Sequence, residues 1–211
     1  MKLQKLLGFG VRAAVIAGSA LAASPTIGVA TAVGTFKVNS SEVDGNANIF
    51  EGAEIRTASA ASQVFLQSGS AVTFALNSAG VLYRDHVVLE EGATKVDNMS
   101  AYTIHAAAYR VQGDPGSHAV VRFKAGEVQI ASLAGALRVS DTHGALLTRI
   151  GAGTASSFNR QQQVGRTGAP VDTENRAKEA TLYLALVASL GGLGLAVDAI
   201  VQPGTKAQVS P

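Results

Sequence analysis

The chain has 211 residues, enough for one domain with appendages. It contains no cysteine, which excludes disulfides and thiolate metal sites. Its formal charge of +2 owes its sign to Lys2, Lys5 and Arg12 at the amino terminus. Without those three the bases no longer outnumber the 15 acids, which excludes the basic footprint of a nucleic-acid-binding domain. Charged residues at 15% and aromatics at 5%, beside 23 glycines, fit a turn-rich all-β body joined to apolar segments.

Residues 1–32 read as a signal peptide or signal-anchor. Lys2 and Lys5 (with Arg12) form a positive start, followed by the mildly apolar run Ala13–Ala23. Ala20-Leu21-Ala22 has the small-x-small form of a cleavage site just before Ser24-Pro25, and Ala30-Thr31-Ala32 is a second candidate. The apolar run is short and rich in Ala and Gly, which favours an export signal over a permanent span.

A β domain is expected over residues 33–159. From Thr26 the apolar pattern changes to period two, with Ile27, Val29, Val33, Phe36 and Val38 as a first strand or strand pair. Asp44-Gly45 and Glu51-Gly52 read as turns. Gln63–Leu66 and Ala71–Leu76 flank Gln67-Ser68-Gly69-Ser70, a tight turn. Val81–Tyr83 and His86–Leu89 are further short strands, closed by Glu90-Glu91-Gly92. Tyr102–Val111 fits either a strand pair or a helical turn, and Gln112–Gly116 is a loop.

Glycines then recur nine residues apart at Gly126, Gly135, Gly144 and Gly153, separated by short alternating runs such as Val128/Ile130 and Leu137/Val139. A strand-turn unit this short cannot bury its own face, so the units must stack or pair. About twelve short strands in all predict an all-β fold, either a β-solenoid or roll or a compact β-sandwich. Gly52, Gly69, Gly92, Gly126, Gly135, Gly144 and Gly153 are its expected fold-defining turns.

Residues 160–179 read as a polar linker. Residues 180–201 read as a transmembrane helix, since Ala180–Val197 carries no charge and is long enough to span. Gly191, Gly192 and Gly194 suit helix contacts in lipid. Residues 202–211 form a short tail.

The chain shows no catalytic, cofactor-binding or metal-binding constellation. Asp85-His86 and Asp141-x-His143 are the acid–histidine neighbours, and both fit turns or strand edges; His105 and His118 stand alone. Gly151-x-Gly153 lacks the third glycine and the downstream acid of a dinucleotide fingerprint. Glu90-Glu91 are adjacent, and adjacent strand residues face opposite ways, so they are not a carboxylate pair.

Residues 48–96 contain a glycine before a short strand, then a hairpin, then a closing glycine: Gly52, Ile55, Thr57, Val64, Leu66, Gly69, Ser70, Val72, Phe74, Leu89 and Gly92. This series resembles the FecR domain. Gly126-Glu127-Val128, Leu137-x-Val139 and Gly153 with Phe158 resemble that family's end, so the likeness covers about residues 34–159. It implies an extracytoplasmic all-β domain. In well-known members such a domain passes a signal from an outer-membrane receptor to a cytoplasmic sigma factor, through a helical segment ahead of a single span. Only Met1–Arg12 precede the first apolar run here, so the resemblance carries over the domain and its side of the membrane. The expectation is a non-enzymatic, membrane-tethered periplasmic domain of a bacterial envelope, binding an envelope protein, with no cofactor and no nucleic acid. The alternative is a cell-surface signalling regulator acting with a sigma factor.

Overall fold

The computed structural model describes residues 25–159. They form fourteen strands and one short 3-10 turn at Met99–Ala101. The strands are β1 (Thr26–Val38), β2 (Ser41–Phe50), β3 (Ala53–Arg56), β4 (Ser62–Leu66), β5 (Ala71–Phe74), β6 (Ala79–Leu82) and β7 (His86–Asp97). They continue as β8 (Thr103–Ala106), β9 (Tyr109–Gly113), β10 (His118–Lys124), β11 (Glu127–Ala134), β12 (Leu137–Asp141), β13 (Leu146–Ile150) and β14 (Ala155–Asn159). The all-β expectation holds. The linker expected at 160–179, the transmembrane helix expected at 180–201, the expected tail and residues 1–24 of the expected leader lie outside the described residues. Among the described residues no helix is long and apolar enough to cross a membrane.

The first half closes on itself. β1 pairs with β4, β4 with β5, β5 with β7, β7 with β6, β6 with β3, and β3 again with β1, all antiparallel. The result is a six-stranded barrel, in place of the solenoid or plain sandwich expected from the spacing. Alternation accounts for its filling: Ile55, Val64, Leu66, Val72, Phe74, Leu82, Val87 and Leu89 are buried in one core. β2 lies outside the ring and, among the described residues, pairs only with β1.

Two long strands serve both halves. β7 pairs with β6 and β8 through His86–Glu91, then with β5 and β10 through Gly92–Asp97. Glu90-Glu91-Gly92 is therefore a bulge and corner within one strand, where the sequence suggested a terminus. Likewise Asp44-Gly45 lies inside β2, opposite the register shift of β1 between Thr31 and Thr35, and the chain reverses instead at Asn39-Ser40, both with positive φ. The first strand begins at Thr26, and Gly28–Ala32 pair with β4. The domain thus starts inside the 1–32 leader drawn from sequence.

The second half is open. β8, β9, β12 and β13 extend from the first part of β7, while β10, β11 and β14 extend from its second part. Tyr102–Val111 is thus largely a strand pair, β8–β9, turning at Ala107 with φ 52°. The two sheets share a core of Ile104, Val111, Val121, Val128, Ile130, Leu137, Val139 and Ile150. Tyr109 of β9 meets Phe158 of β14 with ring centroids 5.1 Å apart. The nine-residue repeat is therefore split between sheets: its first and last strands pair β11 with β14, and its middle two pair β12 with β13.

Candidate functional site

The densest group of chemistry-bearing side chains stands where the barrel meets β8. β7 and β8 are parallel, with His86 opposite Thr103 and Val88 opposite His105, so both imidazoles lie on the outer face of the sheet. The Tyr83, His86 and His105 rings stack in sequence, with centroids 4.4 Å and 4.6 Å apart. Asp85 Oδ1 lies 2.7 Å from His86 Nδ1. Beneath them Tyr102 is 1% exposed, and its hydroxyl lies 3.0 Å from the Tyr83 carbonyl and 2.8 Å from the His86 carbonyl. That hydroxyl fixes the turn that presents the rings.

The electrostatics follow from the packing. The hydrogen bond from His86 holds the Asp85 carboxyl below its usual value. Desolvation lowers the pKa of His105, and the neighbouring His86 and Arg110 lower it further. Burial drives the Tyr102 phenol upward, so it remains a neutral donor. The arrangement can stack and donate hydrogen bonds. One His86 nitrogen is engaged by Asp85, and both of its ring faces are covered.

A second group lies on the outer face of β7 and β10. The Asp97 carboxylate takes Lys95 Nζ at 2.8 Å and His118 Nδ1 at 2.6 Å, and His118 is directly opposite Asp97 in the register. It stitches two strands together and compensates its own charge. His143 is exposed in the β12–β13 turn, where Asp141 Oδ1 accepts the His143 and Ala145 N–H groups, each at 2.9 Å. Among the described residues no group of three or more His, Asp or Glu is placed to hold a metal ion.

Gly52, Gly69, Gly92, Gly126, Gly135, Gly144 and Gly153 have φ between 72° and 86°. Gly151 and Gly153 shape the β13–β14 turn, where the Thr154 N–H reaches the Gly151 carbonyl and the Gly153 N–H reaches Ser132. Glu90 and Glu91 are both exposed at the bulge. Sequence reading missed the His86–His105 stack and the Lys95–Asp97–His118 group, because both depend on strand partners that spacing does not reveal.

The surface adds one feature. Val29 and Phe65 are direct cross-strand partners on the outside of the barrel, 40% and 52% exposed, with Phe50 on the adjoining β2.

No family model matches the chain, and no curated protein does. The fold shares a partial likeness with two crystal structures of a candidate anti-sigma factor from Parabacteroides distasonis ATCC 8503. The identities are 15% and 16%, each at TM-score 0.44, over 52% of this chain and 56% and 55% of theirs. A likeness over half of each chain at that identity assigns neither family nor partner.

Proposed function

We propose that this chain is a FecR-like extracytoplasmic domain that acts by binding another protein of the bacterial envelope and catalyses no reaction of its own. The observation that supports it is the fate of the FecR-like pattern. Its apolar positions Ile55, Val64, Leu66, Val72, Phe74 and Leu89 all enter the barrel core. Its polar positions are buried and bonded: Thr57 to Ala75 and Ser78, and Ser70 to the Asn98 carbonyl at 2.8 Å. The pattern thus specifies a scaffold, and its exterior offers the exposed Val29–Phe65 pair and free strand edges as docking surface.

Export follows from the leader, with the cut after Ala22. A cut after Ala32 would remove Gly28–Ala32 from the β1–β4 ladder. Mass spectrometry of the mature protein is expected to find Ala23 at the amino terminus, and a domain that resists protease added to spheroplasts would defeat the exported reading. The apolar stretch 180–201 would tether the domain in the cytoplasmic membrane. The narrower reading is a cell-surface signalling regulator acting with a sigma factor. It draws on the FecR resemblance, and a sigma factor crosslinked to the full chain in intact cells would separate it from simple envelope binding.

A further inference from the structure

We propose that the outer edge of β13 is a docking site for an extended, acidic peptide segment of the partner protein, which adds to the sheet as its next strand. This rests on the protein-binding reading above and names the surface and the partner's chemistry. β13 ends the series β7–β8–β9–β12–β13 and pairs only with β12 among the described residues. A strand with one neighbour turns the backbone groups of its other side toward solvent, a ready template for another chain. Ile150 is 2% exposed and anchors the strand in the core, whereas Leu146 and Leu147 are 59% and 42% exposed.

The charges select the partner. Arg149 is directly opposite Arg138 on the outer face, and like charges in that position repel. Arg110 follows on β9, opposite Ser140 of β12, two residues along from Arg138. Arg138 has one distant carboxylate, Asp114 at 3.8 Å, and among the described residues no ion pair engages Arg149 or Arg110. An incoming strand with a carboxylate beside Arg149 would relieve that repulsion, while its apolar positions would cover Leu146 and Leu147. A cationic strand would meet three arginines, so the same surface rejects it.

The other edges differ. β2 carries the acids Glu42 and Asp44, and β14 is tied to β11 by the Ser157–Glu127 hydrogen bond. Apolar exposure and uncompensated positive charge coincide on β13.

The test uses the full chain with three synthetic decapeptides, measured by fluorescence anisotropy: one alternating Glu and Val, one alternating Lys and Val, and the Glu–Val peptide with N-methylated backbone. The first is expected to bind and the other two to fail, since one lacks the charge and the other the ladder donors. Arg149→Glu should weaken Glu–Val binding by about tenfold or more, and Arg149→Lys should restore most of it. Circular dichroism is expected to show both variants folded, the residue being exposed. Equal binding of the methylated peptide, or an unchanged affinity in Arg149→Glu, would overturn the assignment. So would self-association of the chain through β2 at this edge, read by sedimentation. Peptide binding by a chain whose domain resists protease in spheroplasts would remove only the exported reading; an exported chain blind to the peptide would remove only this one.

Discussion

The barrel and the open half share one core but solve the problem of strand edges in opposite ways. In the ring every strand has two ring neighbours, and the outer sides of its two long strands are taken as well, β1 by β2 and β7 by β8 and β10. In the open half, among the described residues, the sheets stop at β13 and β14. The open half gives up that protection and gains edges on which another chain can pair. The docking strand proposed above would thus attach to the open half, and β7 joins that half to the ring.

The sharpest way to break this division is to substitute glycines of like geometry on either side of it. At Gly92, φ is +84°, and a methyl group would meet Ser78 Oγ at 2.3 Å and the Asn77 carbonyl at 2.6 Å. Ser78 cannot yield freely, because its hydroxyl holds the Ala93 N–H at 2.9 Å. At Gly144, φ is +86° with nothing within 4 Å. Both replacements by alanine meet backbone strain of about 1–2 kcal/mol, and Gly92 adds an overpacking cost of about 1–3 kcal/mol. Denaturant titration should therefore show Gly92→Ala losing much more stability than Gly144→Ala. Equal losses would mean that the β7 corner is no tighter than an exposed hairpin.

A smaller effect tests whether the barrel depends on buried polar bonds as well as on closure. Thr57 Oγ1 lies 2.5 Å from the Ala75 carbonyl and 3.1 Å from the Ser78 carbonyl, and it accepts the Ser78 N–H at 2.9 Å. It is 7% exposed. Thr57→Val keeps the shape and removes the hydroxyl, leaving buried backbone groups without that partner, at a cost of about 1–3 kcal/mol. A loss of that size on thermal unfolding would explain why this position carries a threonine within an apolar pattern. No loss would make the hydroxyl incidental.

The two halves were unequally legible in the sequence. Alternation marked most barrel strands, because Val64/Leu66 and Val72/Phe74 place one face inward whatever their partners. Closure was not legible, since it depends on β3 reaching back to Lys37 and Val38 at the far end of β1. Gly92 read as a stop because glycine commonly ends a strand; here its positive φ bends a strand that continues to Asp97. The nine-residue spacing announced strands in the open half but was silent about pairing. For the side-chain clusters, Asp85-His86 and Asp141-x-His143 were visible as local turn chemistry. The His86–His105 stack was hidden because the parallel β7–β8 pairing brings together residues from separate strands.

That stack supplies the smallest expected effect, placed where the halves meet. Desolvation, followed by the charges of His86 and Arg110, holds the His105 pKa below its ordinary 6.5 in the folded protein. Below pH 6.5 the unfolded chain therefore binds a proton that the folded chain resists, and stability falls with pH by linkage. The loss begins near the unfolded value and is complete once the pH has passed below the folded one; above pH 6.5 the group contributes no slope. Asp85 and Glu127, also lowered, act in the same direction but in a separate window beneath their ordinary 3.8 and 4.5. His105→Gln should flatten the stability curve just below pH 6.5 and leave the more acidic fall intact, as read by denaturant midpoints across a pH series. If instead the wild-type and variant curves run parallel there, protonation at this junction does not strain the fold, and β8 sits on the barrel more loosely than its stacked rings imply.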